Sequence, residues 1–110
     1  ALKIKPVVPR RRAHQDVDEA IEYYLSESAP EAAIGFIDAV EQAFARIGRH
    51  PGVGSPRHGQ ELDLPGLRAW PLTRYPYLVF YLERPDQIDV WRLLHTSRDM
   101  PAWLSSGEAE

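Results

Sequence analysis

The sequence contains no cysteine among its 110 residues. That absence excludes a disulfide scaffold, a thiolate zinc site and a thiol nucleophile, and it fits a reducing compartment. No stretch approaches the roughly 20 apolar residues of a membrane-spanning helix. The opening Ala1-Leu2-Lys3-Ile4-Lys5-Pro6 lacks a long apolar core, so no signal peptide is expected, and a cytoplasmic location is. The four histidines stand at 14, 50, 58 and 95, with no His-x-x-x-His pair. No metal site and no cofactor is therefore expected. Lysine does not occur after Lys5.

What is present is ordinary for a globular chain, at 44% hydrophobic and 26% charged residues. Its length predicts one domain, residues 1–110, burying roughly two-thirds of its unfolded surface. The net charge of −3 argues against direct, specific nucleic-acid binding. The charge is unevenly spread. Residues 1–12 hold five bases and no acid, while residues 13–45 hold eight acids and no Lys or Arg.

Periodicity supplies the elements. Leu2, Lys3, Ile4 and Lys5 alternate, predicting a strand over residues 2–8 that Pro6 confines to an edge or a strand end. Ala13, Val17, Ala20, Ile21, Tyr24 and Leu25 form one helical stripe over residues 13–27. Ser28-Ala29-Pro30-Glu31 has the pattern of a capping box, starting a second helix that runs to about Gly48. Its expected stripe is Ala33, Ile37, Val40, Phe44 and Ile47. The short link predicts an antiparallel helical hairpin. His50-Pro51-Gly52-Val53-Gly54-Ser55-Pro56 breaks the chain, and residues 57–66 read as loop. Three strands follow at 67–72, 77–82 and 88–94, the middle one apolar enough to be covered on both faces. Residues 98–104 suggest a short terminal helix. The fold class is α+β: an N-terminal strand, an antiparallel helical hairpin packed on a small, mainly antiparallel sheet, and a short C-terminal helix.

Four local patterns, in order along the chain, carry a family resemblance. They are Asp16-Val17 with Ile21 and Tyr24, His50-Pro51-Gly52-Val53-Gly54, Leu78-Val79-Phe80-Tyr81, and Val90-Trp91-Arg92-Leu93-Leu94-His95 followed by Arg98. Together they resemble the RelE/ParE superfamily of bacterial type II toxins over roughly residues 2–98, with the ParE-like branch nearer. That resemblance implies a toxin that inhibits DNA gyrase and is neutralised by a cognate ParD-like antitoxin in a hetero-oligomer. RelE-type relatives instead cut mRNA on the ribosome. They usually carry many bases and an Arg where this chain has Leu78.

A nuclease needs a base, an acid and cations for the phosphate. Here His95 could serve as the base and Arg74, Arg92 or Arg98, with Arg68 also available, as cations. Arginine cannot donate a proton near neutral pH. Each group also has a structural reading. His95 suits a strand-end hydrogen bond, Arg92 an ion pair with an acidic helix residue, and His50 the end of the second helix. His14 and His58 read as exposed, Trp91 as core, and Arg10-Arg11-Arg12 as a solvated lead into the helix. The expected function is thus binding, with no catalytic residue. The expected target contacts are Arg74, Arg92, Arg98 and Trp103. The expected antitoxin anchors are Trp70, Tyr77, Tyr81 and Trp103, on an apolar groove that makes the free chain prone to aggregate. The alternatives are a RelE-type ribonuclease and an inactive relative retained for antitoxin binding.

Overall fold

Tyr77 to Glu83 forms a strand that has a partner on both sides in the computed structural model, which describes residues 4–99. Along the chain the elements are β1 (Val7–Pro9), α1 (Arg11–Ser26), α2 (Pro30–Arg49), a 3-10 turn (Pro51–Val53), α3 (Arg57–Glu61), β2 (Leu67–Pro71), β3 (Tyr77–Glu83) and β4 (Ile88–His95). The sheet order is β1-β4-β3-β2. β3 pairs antiparallel with β2 and with β4, and β1 pairs parallel with β4. The α+β architecture and the mainly antiparallel sheet match the sequence reading.

Alternation along β3 sets the two faces. Tyr77, Val79 and Tyr81 point to the helices, with Phe36, Val40 and Ile47 of α2 and Ala13 and Ala20 of α1. Phe80 points the other way, with Leu67, Ala69 and Leu94, against Leu62, Leu64 and Trp91. Each fully buried large side chain contributes about 1.5–3 kcal/mol. A bulge interrupts the pairing: Phe80 faces Arg92 while Tyr81 faces Val90, so Trp91 is the extra residue. The bulge shifts the alternation of β4. Ile88 and Val90 face the helices before it and Leu93 after it.

The structure corrects several local expectations. The capping box does not form, since Ala29 precedes α2 without a side-chain cap. Ser28 instead takes a φ of 55°. Its N–H donates to Leu25 O, and the Ala29 N–H donates to Tyr24 O. That pair of bonds closes α1 as a Schellman motif. The stripe of α2 is also rotated: Phe36, Ala39 and Ala43 are buried, while Ile34 and Ile37 are exposed. Leu25 of α1 is exposed as well. α1 begins at Arg11, inside the basic run. β1 is shorter than expected and starts at Val7. Residues 57–61, expected as loop, form α3. His58 is not exposed; its ring meets Phe80 edge-on at 5.5 Å. Only Arg98 and Asp99 of the expected terminal helix lie among the described residues, in a turn.

Candidate functional site

β1 covers β4 only from Ile88 to Val90. Beyond the bulge, the amides of Leu93 and His95 face away from β3, and two carboxylates take them. The Leu93 N–H donates to Asp16 Oδ2 at 2.9 Å. The His95 N–H donates to Asp99 Oδ2 at 3.0 Å. Each carboxylate is in turn held by an arginine: Arg92 donates twice to Asp16, at 2.8 and 3.0 Å, and Arg98 Nε donates to Asp99 at 3.1 Å. An open strand edge is thereby closed to other strands.

The same end of the sheet carries the β2–β3 loop. The Thr96 N–H donates to Pro76 O at 2.9 Å, tying the end of β4 to that loop. Arg74 sits in it with a φ of 72°, exposed and without a hydrogen-bond or ion-pair partner among the described residues. Arg98 lies beyond the end of β4, where Tyr77 and Asp99 engage its guanidinium. The hydrogen bond to Asp99, first of these, pushes the Arg98 pKa further up. Burial raises the Asp99 carboxyl, but the bonds from Arg98 and the His95 amide outweigh it, so the net shift is downward. Burial, reinforced by Tyr77, Tyr75 and Tyr23, pushes the Tyr24 phenol up to about 12.

Other expected residues are spoken for. The Arg92 side chain is 13% exposed and Asp16 is 9% exposed, so Arg92 is a tie between α1 and β4, not a contact for a target. Tyr77 and Tyr81 are buried, which removes them as anchors for a surface partner. The Tyr81 hydroxyl accepts from the Gly54 N–H at 2.9 Å and donates to Pro51 O at 2.6 Å. Burial raises its pKa. Gly54 allows this approach, because a Cβ there would stand 2.7 Å from that hydroxyl. Arg68 donates to Gly54 O at 2.7 Å. His95 Nδ1 accepts from the Ser97 and Arg98 amides at 3.2 and 3.1 Å. Its lone pair therefore shapes the turn and is not offered to a substrate. Trp103 lies outside the described residues.

Trp70 is half-buried and its ring lies 5.9 Å from the Arg46 guanidinium. It lines one of two adjoining hollows between α2 and the β2–β3 loop, of about 180 and 320 Å³. Both touch Ala39, Gln42 and Thr73. Arg46 and Trp70 border the smaller hollow, and Arg74 and Tyr75 the larger. Sequence periodicity missed this groove because it assigned Ile37, not Ala39 and Ala43, to the inward stripe of α2. The signal that could have found it is Gly35, Ala39 and Ala43 repeating every four residues. Among the described residues no group of acids and histidines is placed to hold a metal ion, and no helix is long and apolar enough to cross a membrane.

Residues 7–100 match the family model described as the ParE toxin of the type II toxin–antitoxin system, parDE. No curated protein matches the chain. Among solved structures, the fold is similar to one described as the chromosomal ParDE TA system from P. aeruginosa. The TM-score is 0.71 and the identity 20%, over 86% of this chain and 98% of that one.

Proposed function

This chain belongs to the ParE toxin family of type II toxin–antitoxin systems, and from that premise we propose that it inhibits DNA gyrase by binding and is neutralised by a ParD-like antitoxin. The family match over residues 7–100 is the observation that carries the reading. Two features of the site support binding over RNA cleavage. Leu78 stands where the resemblance to RelE-type enzymes calls for an Arg, and His95 Nδ1 is occupied by backbone amides. The proposed target contacts are Arg74 and Arg98, the exposed cations at the sheet end, with Trp103 from beyond the described residues. The proposed antitoxin anchors are Trp70 and Trp103, and the groove beside α2 is the surface on which the antitoxin lands. The toxin resides in the cytoplasm and is held inactive in a hetero-oligomer with its antitoxin.

The test is a gyrase supercoiling and DNA-cleavage assay with the purified chain. Inhibition or trapped cleaved DNA, reversed by added antitoxin, is the expected outcome. Folded protein in large excess that leaves gyrase untouched would overturn the reading, and cleavage of ribosome-bound mRNA would replace it with the nuclease one.

A further inference from the structure

Three large apolar side chains stand exposed on the helical hairpin: Leu25 at 52%, Ile34 at 62% and Ile37 at 37%. They share one seam. The Tyr24 and Phe36 rings meet at 5.7 Å, which fixes how the two antiparallel helices lie alongside each other. Leu25 then comes level with Ile34, and Asp18 with Glu41. One flank of α2, with Gly35, Ala39 and Gln42, borders the β2–β3 loop. The flank with Ile34, Ile37 and Glu41 therefore turns toward α1. Exposed acids edge the seam, Asp18 and Glu22 from α1 and Glu31 and Glu41 from α2. None of the four has an ion-pair partner among the described residues. Residues 13–45 hold no Lys or Arg to answer them. We infer that this seam is a docking surface for a basic amphipathic helix of a partner protein, separate from the groove beside Arg46 and Arg74.

The chemistry of the seam chooses its occupant. A helix covers such a surface with apolar residues spaced three or four apart. From Ile34 to Glu41 α2 rises about 10 Å, two helical turns, which gives room for three of them. Lysine or arginine beside that stripe reaches the flanking acids. A second copy presenting the same seam would set four acids against four, and like charges across an interface oppose binding. An anionic membrane surface is repelled for the same reason. The chain's own basic run offers no free helix, since Arg10 is paired with Asp89 at 3.5 Å and lies over the Trp91 ring. The seam is also opposite in charge to the sheet end, where Arg74 and Arg98 are exposed. A partner suited to one surface is repelled by the other, so the chain can hold two partners at once. The inference stands whichever target the toxin has.

The test uses the full chain and two synthetic, fluorescein-labelled helices of about 18 residues, long enough to be helical. Both carry leucine on one stripe. The other positions are lysine and glutamine in one, glutamate and glutamine in the other. Fluorescence anisotropy should show the lysine helix saturating the chain and the glutamate helix failing to bind. Leu25→Ser/Ile34→Ser, with the fold confirmed by circular dichroism, should weaken binding by about tenfold. Glu22→Lys/Glu41→Lys should weaken it as much. Glu61→Lys/Asp86→Lys makes the same change of net charge in α3 and the β3–β4 turn, and should leave binding within about twofold of wild type. If the Leu25→Ser/Ile34→Ser variant fails to fold, the two charge variants decide. No saturation by the lysine helix, equal binding of both helices, or equal loss in the two charge variants overturns the inference. Self-association in sedimentation that Leu25→Ser/Ile34→Ser abolishes also overturns it and makes a second copy the occupant.

Discussion

Arg92 and Arg98 each hold an aspartate, and each of those aspartates accepts an outward amide of β4. Their settings differ. The Asp16–Arg92 pair joins residues 76 apart in sequence, has hydrogen bonds of 2.8 and 3.0 Å against 3.1 and 3.4 Å in the other pair, and is mostly buried. The Arg98–Asp99 pair joins neighbours, with side chains 53% and 32% exposed. The first fixes where α1 sits on the sheet. The second shapes a turn and leaves its guanidinium facing water. The same residue types thus serve the fold in one place and offer a surface in the other, and exposure separates the two roles.

The sharpest way to break this contrast is Asp16→Ala. It leaves the mostly buried Arg92 charge and the Leu93 amide without Asp16, and it should cost about 3 kcal/mol, read as a fall in the urea midpoint. Asp16→Asn keeps an acceptor for Leu93 and should lose less. Next comes Tyr81→Phe. It leaves the buried Gly54 amide and the part-buried Pro51 carbonyl without the hydroxyl, and it should cost about 1–2 kcal/mol by the same measurement. Arg98→Ala stands at the other end. Its pair is exposed, so the expected loss is about 0–1 kcal/mol, within a few degrees of the wild-type thermal midpoint.

Acid provides a further, smaller test. Asp89 is held below its ordinary value of 3.8, first by the hydrogen bond from Gln87, and Asp99 is also held below 3.8. A carboxyl with a depressed folded pKa stabilises the fold above its unfolded pKa, and that stability is lost as pH falls through the folded value. Urea midpoints should therefore hold steady from neutral pH down to about 4 and drop below it. Asp89→Asn and Asp99→Asn together should flatten that drop.

Much of the fold is legible in the sequence because its signals are local. β3 reads as a central strand from Tyr77-Leu78-Val79-Phe80-Tyr81-Leu82, and the helical hairpin follows from the stripe around Ala13, Val17 and Ala20 and the Pro30 start. The errors arise where tertiary context decides. Ser28 looks like an N-cap, yet it takes a left-handed conformation to close the preceding helix. Ile37 fits a helical stripe as well as Phe36 does, and the tertiary cluster of Tyr24, Tyr75 and Tyr77 that Phe36 joins is what turns Phe36 inward. The candidate site is less legible. The sequence offers Arg92 both as an ion pair with an acidic helix residue and as a target contact, and the tie to Asp16 decides for the first, while Arg74 stands alone on a turn. Tyr77 and Tyr81 read as anchors until their burial beneath the helices is seen.

The most direct test compares gyrase supercoiling in the presence of the wild-type chain and of Arg74→Glu/Arg98→Glu, at matched concentration and confirmed fold. The wild type is expected to inhibit, and the double variant to melt within a few degrees of it and to inhibit at least tenfold more weakly. Full inhibition by the folded double variant, or none by the wild type, would contradict that expectation.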